Sequence, residues 1–335
     1  MKRNFSRLVV SAWLSIFLVA FGATTSESFE ASRPGNGPVK IHVSIFMVDL
    51  DEVTSANQSF DANVYIMYRW QDKRLAHKGS KSIVRSLNEI WNPRIQIVNQ
   101  QKIWLTFPDI VKIAPDGEVL YRQRVWGSFS QPLKLHDFPF DQQVFFIQLA
   151  AIDYTPGEVE LVLDTKEESG MSQELSVTDW NILGWKAEPM AYKPTPTTKA
   201  NAGFSLSFEA SRKTGYFIIK VIFPLILIVA MSWVVFWIDP TESGTQISVA
   251  ITTMLTLIAY RFLIDTGLPK ISYLTRLDYF ILFATILVYA SLIEVIVTSA
   301  FTRNERLSQA QAIDRHMRWL FPSIFAIMAI KSFVF

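Results

Sequence analysis

Residues 246–263 read QISVAITTMLTLIAYRFL. A hydrocarbon core of about 30 Å needs about 20 helical residues, so this stretch is long and apolar enough to enter a membrane. It nevertheless carries Ser248, Thr252, Thr253 and Thr256. At 100° per residue, Ser248, Thr252, Leu255, Ala259 and Phe262 fall within an arc of roughly 80° on a helix. Two meanings stay open from these residues alone. Small and hydroxyl-bearing residues let membrane helices approach closely. Several copies of such a face around an axis would instead line a pore, with hydroxyls solvating ions and Leu255 and Phe262 forming dewettable constrictions. Asp239 and Glu242 precede the helix and Asp265 closes it. Carboxylate rings at pore mouths concentrate cations, although solvated helix ends account for the same charges. Arg261 is expected to pair with Asp265 at i+4 or with a neighbouring helix.

Outward from this helix the chain divides into two environments. Charged residues crowd between about 40 and 215, whereas the last 120 or so residues are dominated by long apolar runs. Four candidate spans follow: 216–238, 247–264, about 279–300 and about 319–335. Arg303, Arg306, Arg315 and Arg318 lie between the third and fourth, and arginine excess in a short loop marks the cytoplasmic side. The C-terminus is then expected outside. Glu294 in the third span and Lys331 in the fourth are costly in lipid; Glu294 is expected against a neighbouring helix and Lys331 at the outer headgroups. At the other end, Lys2, Arg3 and Arg7 precede an apolar stretch and then small residues, the order of a secretory signal, here placed at 1–25.

Residues 38–212 alternate in strand fashion. KIHVSIFMVDL, NVYIMYRWQD, RIQIVNQ, EVLYRQRVWGSF, QVFFIQLAAI and GFSLSFEA are separated by Pro, Asn, Asp and Gly signals, with an Asp-Gly turn at Asp116 and Gly117. Short strands at roughly ten-residue spacing without intervening amphipathic helices predict a β-sandwich. The expected architecture is an all-β extracellular sandwich followed by an α-helical four-span bundle at 213–335, its second helix covering 245–265.

Composition narrows the chemistry. With 32 basic and 30 acidic residues, bulk charge gives no support to nucleic-acid binding. The absence of cysteine removes disulfides, thiolate nucleophiles and Cys-ligated zinc. No Gly-rich phosphate loop, Gly-x-Ser-x-Gly or histidine pair at metal spacing is present, so neither an enzyme, a cofactor nor a metal is expected. A membrane-anchored binding or adhesion protein is the competing class.

One loop carries a resemblance. In LKLHDFPFDQQVFF, residues 133–146, Leu135, Phe138, Pro139, Phe140, Asp141 and Gln143 resemble the signature loop of the pentameric ligand-gated ion channels, the Cys-loop receptor superfamily. Gln131 and Phe145 stand where animal members place the two cysteines, a departure similar to bacterial members. Trp70 with Asp72, Trp91 with Pro93 and Asn99, Arg212 with Tyr216 and Pro224, and Pro269 with Lys270 resemble further family motifs in the right order.

The resemblance implies a homopentamer in a lipid bilayer, each copy with an extracellular sandwich and four membrane helices. By it, Ser248, Thr252, Leu255, Ala259 and Phe262 face the ion path, Leu255 forming the central hydrophobic ring. Anion-selective relatives carry a Pro-Ala-basic insertion at the inner mouth. Gly244, Thr245 and Gln246 stand here instead, so permeating monovalent cations are expected. Asp51, Glu52, Phe138, Pro139, Asp141, Arg212 and Lys270 match the cluster that couples the domains. The agonist site between subunits would draw Tyr65 and Tyr121 from one face, and Val98, Ile152, Asp153, Tyr154, Tyr192 and Phe204 from the other. Val98 and Ile152 are aliphatic where amine-binding relatives place aromatics, which weakens a cation-π cage. Asp153 with Tyr154 would compensate by attracting a cation; the alternative is a vestigial site. Whether the agonist is a small organic molecule or protons stays open, since His136 lies within the signature loop and His42, His77 and His316 are the other histidines.

Overall fold

The computed structural model describes residues 32–265, 268 and 270–334. The expected signal segment and Pro269 lie outside the described residues. The expected β-sandwich is present. One sheet runs β10-β1-β2-β7-β6-β3, with β5 added to β7 and β9 to β1. Its strands are β1 (Val39–Thr54), β2 (Ser59–Gln71), β3 (Ile83–Ser86), β5 (Gln100–Leu105), β6 (Ile110–Ile113), β7 (Glu118–Ser130), β9 (Val159–Leu163) and β10 (Gly170–Met171). The second sheet runs β11-β12-β8-β4, from β11 (Trp180–Pro189), β12 (Gly203–Arg212), β8 (Gln142–Ala151) and β4 (Ile95–Ile97).

Period-2 alternation fixes which faces meet. Ile41, Val43, Ile45 and Met47 of β1 are fully buried, as are Phe204, Leu206, Phe208 and Ala210 of β12 or nearly so. Phe60 joins the two sheets, stacked on Phe129 at 5.3 Å and edge-on to Phe145 at 5.4 Å and Phe208 at 5.7 Å. Each such ring pair adds about 0.5–1.5 kcal/mol beyond burial.

The helical region begins two residues after β12 ends. Helix α1 (Gly215–Trp237) has a π-helical stretch at Ile218–Ile222 and a 3-10 end at Val234–Trp237. Pro224 lacks the N–H that would bond Lys220 O four residues back. That carbonyl accepts instead from Tyr260 Oη at 3.2 Å, and Val221 O accepts from the same hydroxyl at 2.8 Å. Helix α2 is Ser243–Asp265, α3 is Arg276–Arg303 and α4 is Leu307–Val334. Thr275 and Asp278 form a reciprocal capping box that starts α3. Among the described residues three helices, α1 to α3, are long and apolar enough to cross a membrane. The apolar run from residue 319 fills only the second half of α4, whose first half carries Gln309, Gln311, Asp314, Arg315 and Arg318. It packs on α1 and α3 through Trp233–Phe325, Phe236–Phe321 and Phe280–Phe325, at 5.5, 4.9 and 5.6 Å.

The Asp-Gly turn read from the sequence joins β6 to β7 and sits against a second loop. Gly117 has φ +86°, and a Cβ there would stand 2.5 Å from Asp72 O. Backbone on both sides leaves no flexible atom to give way. Gly117→Ala is therefore expected to destabilise the sandwich by about 2 kcal/mol or more, read as a lower denaturation midpoint with an unchanged slope; a shift within about 0.5 kcal/mol would show that the turn relaxes freely.

Candidate functional site

The rotation of α2 decides what its hydroxyl stripe faces. Gln246, Ala250, Thr253 and Leu257 are buried in the bundle. These positions recur at i, i+4, i+7 and i+11, one helical face. The expected stripe lies opposite: Ser248, Thr252, Leu255, Ala259 and Phe262 are all exposed on the single protomer, Leu255 at 61% and Phe262 at 75%. Packing between neighbouring helices of one chain therefore does not explain the stripe. Gln246, grouped above with the inner mouth, points the other way: its Nε2 donates to Val235 O at 3.1 Å and Ile238 O at 3.0 Å at the end of α1. Together with Tyr260 it bolts α2 to α1 at two levels.

The stripe hydroxyls are also oriented. Ser248 Oγ donates to Gly244 O at 2.8 Å and Thr252 Oγ1 to Ser248 O at 2.7 Å. Each proton is thus held by the helix's own backbone, and the lone pairs remain for whatever lies outside. At the helix ends Glu242 and Asp265 are exposed. Asp239 accepts from the Thr241 backbone N–H at 2.9 Å and hydroxyl at 2.8 Å, and these bonds hold its carboxyl below the ordinary range. Arg261 and Asp265 flank a cavity of about 300 Å³ with Ile258 and Phe262.

At the domain boundary the structure brings Asp141, Arg212 and Phe138 together. Arg212 donates to both Asp141 oxygens, at 2.8 and 3.2 Å, with both side chains almost wholly buried. Its guanidinium lies between the rings of Trp180 at 4.3 Å and Phe138 at 4.9 Å. Gln143 Nε2 gives Asp141 a further bond at 2.8 Å, and Arg212 reaches Ser55 Oγ in the β1–β2 turn at 3.2 Å. The remaining expected coupling residues stand apart from this pair. Asp51 accepts from Trp126 Nε1 at 2.9 Å; burial raises its carboxyl, with Asp49 adding to the effect. Glu52 and Lys270 are exposed.

The signature loop itself sits on the start of α3. The backbone N–H groups of Arg276 and Leu277 donate to His136 O at 3.0 Å and Phe138 O at 3.3 Å. Arg276 pairs with Asp137 at 2.7 Å, His136 stacks on Tyr273 at 4.1 Å, and Leu135 N–H reaches Tyr273 Oη at 3.0 Å. Phe138 meets Phe217 of α1 at 4.8 Å, and Phe140 meets Phe333 of α4 at 5.6 Å. The Phe138–Pro139 bond is cis. Where relatives close this loop with cysteines, Gln131 Nε2 donates to Val144 O at 3.0 Å and Phe145 enters the core. Sequence reading missed Arg276, Asp137, Tyr273 and Trp180, because only the fold brings them to the loop.

The expected agonist residues divide between the sheets. Tyr65 and Tyr121 belong to β2 and β7 of the first; Ile152, Asp153 and Tyr154 follow β8 of the second, and Tyr192 bridges to Asn201 between β11 and β12. Tyr65 is half-buried, edge-on to Phe107 at 6.0 Å. Tyr121 stacks on Tyr68 at 5.9 Å and donates to Asp109 at 2.6 Å; burial first and Asp109 second push its phenol up to about 12. One assignment is corrected. Phe204 is fully buried in the sandwich core with Leu206 and Phe208, so it packs rather than binds; its alternation with them is the signal that marks it. Asp153 is paired with Arg94 at 3.1 Å, and the Tyr154 ring lies edge-on to Trp91, whose Nε1 donates to Tyr154 Oη at 2.9 Å. The expected acid-aromatic compensation is thus already engaged within the protomer. Asn201 Nδ2 donates to the carbonyls of Ala151 and Ile152, tying this segment to the β11–β12 connection.

Among the described residues no group of three or more His, Cys, Asp or Glu side chains is placed to ligate a metal. Breaking the buried Arg212–Asp141 pair with Asp141→Ala is expected to cost about 3–5 kcal/mol, since it strands a desolvated guanidinium. Removing Glu160 from its exposed 4.0 Å pairing with Lys40 is expected to cost under about 1 kcal/mol. Thermal unfolding of the two variants in parallel checks the contrast; equal shifts would contradict it.

Family models agree with this architecture over most of the chain. The neurotransmitter-gated ion-channel ligand binding domain matches residues 27–214, and the neurotransmitter-gated ion-channel transmembrane region matches 221–309. The chain is similar to the gamma-aminobutyric acid receptor subunit beta-4 of Gallus gallus, 27% identical over 269 residues. That match covers 78% of this chain and 55% of the relative, so the chain spans about half the length of the curated protein it matches. With its sandwich outside and its apolar helices in the bilayer, the chain is a multi-pass membrane protein, and it belongs to the neurotransmitter-gated ion-channel family.

Proposed function

We propose that five copies of this chain surround a cation-conducting pore lined by α2, opened by an agonist acting on the extracellular sandwich. The observation that carries this reading is the rotation of α2: the stripe of Ser248, Thr252, Leu255, Ala259 and Phe262 points away from its own protomer, where no helix of the same chain covers its hydroxyls and further copies around an axis would. Around an axis, Leu255 supplies an apolar ring that dewets when closed. Preference for cations follows from the oriented hydroxyls, which offer lone pairs to the lumen, and from Asp239, Glu242 and Asp265 at the helix ends. Gly244 and Thr245 are exposed where anion-selective relatives carry a basic insertion.

Gating requires that agonist bind the open arrangement better than the closed one. The route proposed runs from the sandwich through the signature loop to α1 and α3, by way of Arg212–Asp141, Phe138–Phe217 and Arg276–Asp137. Residues Tyr65 and Tyr121 on one face, and Tyr154 and Tyr192 on another, belong to different sheets. Two copies are needed to join them in one site. With Phe204 in the core and Ile152 aliphatic, that site suits a small polar organic ligand better than a large quaternary amine. One observation favours protons as the second reading: His136 stacks on Tyr273 where the loop meets α3, so its charge would act at the joint itself.

Voltage-clamped cells expressing the full chain or Leu255→Ser test the pore assignment over a pH series and with gamma-aminobutyric acid as a probe, in asymmetric potassium chloride. A larger or standing current in Leu255→Ser that reverses near the potassium potential is expected. Reversal near the chloride potential would overturn the cation assignment. No current in either protein, with both confirmed at the surface, would favour a membrane-anchored binding protein and remove α2 from a pore.

A further inference from the structure

At the base of the bundle, three helices bring two buried carboxyls and a buried amide together. Gln246 of α2, Glu294 of α3 and Asp314 of α4 are exposed by only 0%, 7% and 1%. The Glu294 carboxyl meets that of Asp314, and Gln246 Nε2 stands 3.5 Å from Asp314 Oδ2. No N–H or O–H donor among the described residues reaches Gln246 Oε1, either Glu294 oxygen or Asp314 Oδ1. Buried acceptors left without donors are costly, and a second buried carboxylate multiplies that cost.

The obvious counter-charge is occupied elsewhere. Arg318 donates through Nε to Phe236 O at 2.8 Å and lies over the Trp237 ring at 4.7 Å. The charges that act on Asp314 are that same Arg318, which favours its ionised form without an ion pair, and Asp239, which opposes it more weakly. Gln246 is the independent witness: it is neutral, fully buried and fixed by α1 carbonyls, yet its oxygen is also unsatisfied. Two carboxyls facing each other beside a neutral amide suit a hard positive species, with neither thiolate nor imidazole at hand.

We propose that Gln246, Glu294 and Asp314 form a site for one exchangeable positive charge, a proton or a small alkali cation, that holds α2, α3 and α4 together at the inner end of the bundle. Gln246 stands two residues before Ser248, so the occupant sets the packing of the inner mouth. When it leaves, two like-charged carboxylates repel, α3 separates from α4, and Gln246 loses its third contact. The site is independent of the pore reading, because its occupancy is measurable without conduction.

The test is thermal unfolding of the purified full chain, with sodium chloride replaced by choline chloride at constant ionic strength, and separately over pH 5–9. Infrared spectra are recorded alongside for a carboxylic-acid carbonyl band. A melting temperature that rises by roughly 5 °C over a hundredfold increase in sodium identifies the metal cation. A rise on acidification without sodium dependence, accompanied by the acid band at neutral pH, identifies the proton. Glu294→Gln and Asp314→Asn are expected to abolish whichever dependence is seen and to remove the band, while Glu305→Gln on the exposed α3–α4 turn preserves both. Wild-type protein indifferent to sodium and pH, with no acid band, would overturn the proposal, and so would a dependence that survives both variants.

Discussion

The account depends on how α2 is turned about its own axis. A helix with apolar residues on most of its surface has little hydrophobic reason to choose one orientation in a bilayer, where lipid tails are as apolar as leucine. Polar bolts choose it here. Tyr260 donates to the Lys220 and Val221 carbonyls beside Pro224 in α1, and Gln246 caps the carbonyls where α1 ends. Both lie on the face that holds Ala250, Thr253 and Leu257 against the bundle. With those contacts made, Ser248, Thr252, Leu255, Ala259 and Phe262 must face outward.

The junction between domains is built on a similar economy. A single buried guanidinium, Arg212, ends β12, pairs with the last acid of the signature loop and is sandwiched by two aromatic rings. Only Lys213 and Thr214 separate Arg212 from α1, while Asp141 belongs to the loop whose backbone carbonyls receive the first N–H groups of α3. The loop therefore contacts both helices that flank α2 in sequence. No disulfide closes that loop; Gln131 and the Val144 carbonyl do so with a hydrogen bond.

Much of this was legible in the sequence because it is periodic or local. Alternation marked β1, β2, β7, β8 and β12, the Asp-Gly pair marked the β6–β7 turn, and helical arithmetic placed five residues on one face of α2. What was not legible depends on partners far away in the chain. Gln246 looked like a mouth residue until its amide was found on α1. Phe204 was carried over as a ligand contact although its period-2 neighbours Leu206 and Phe208 point it into the core. Asp153 was expected to attract a ligand but meets Arg94, and Asp51 and Glu52 were expected beside Arg212 where Ser55 stands instead. Family position tells which strand a residue occupies, not what its side chain has already bonded.

The most direct measurement exploits the absence of cysteine from the chain. Single cysteines placed at Ser248, Thr252, Leu255, Ala259 and Phe262, and at Ala250, Thr253 and Leu257 as the opposite face, would be exposed in liposomes to a charged, membrane-impermeant thiol reagent. If α2 lines an aqueous path, the first set is modified and the second is protected. Protection of both sets, or modification that ignores the two faces, would contradict the account at its centre.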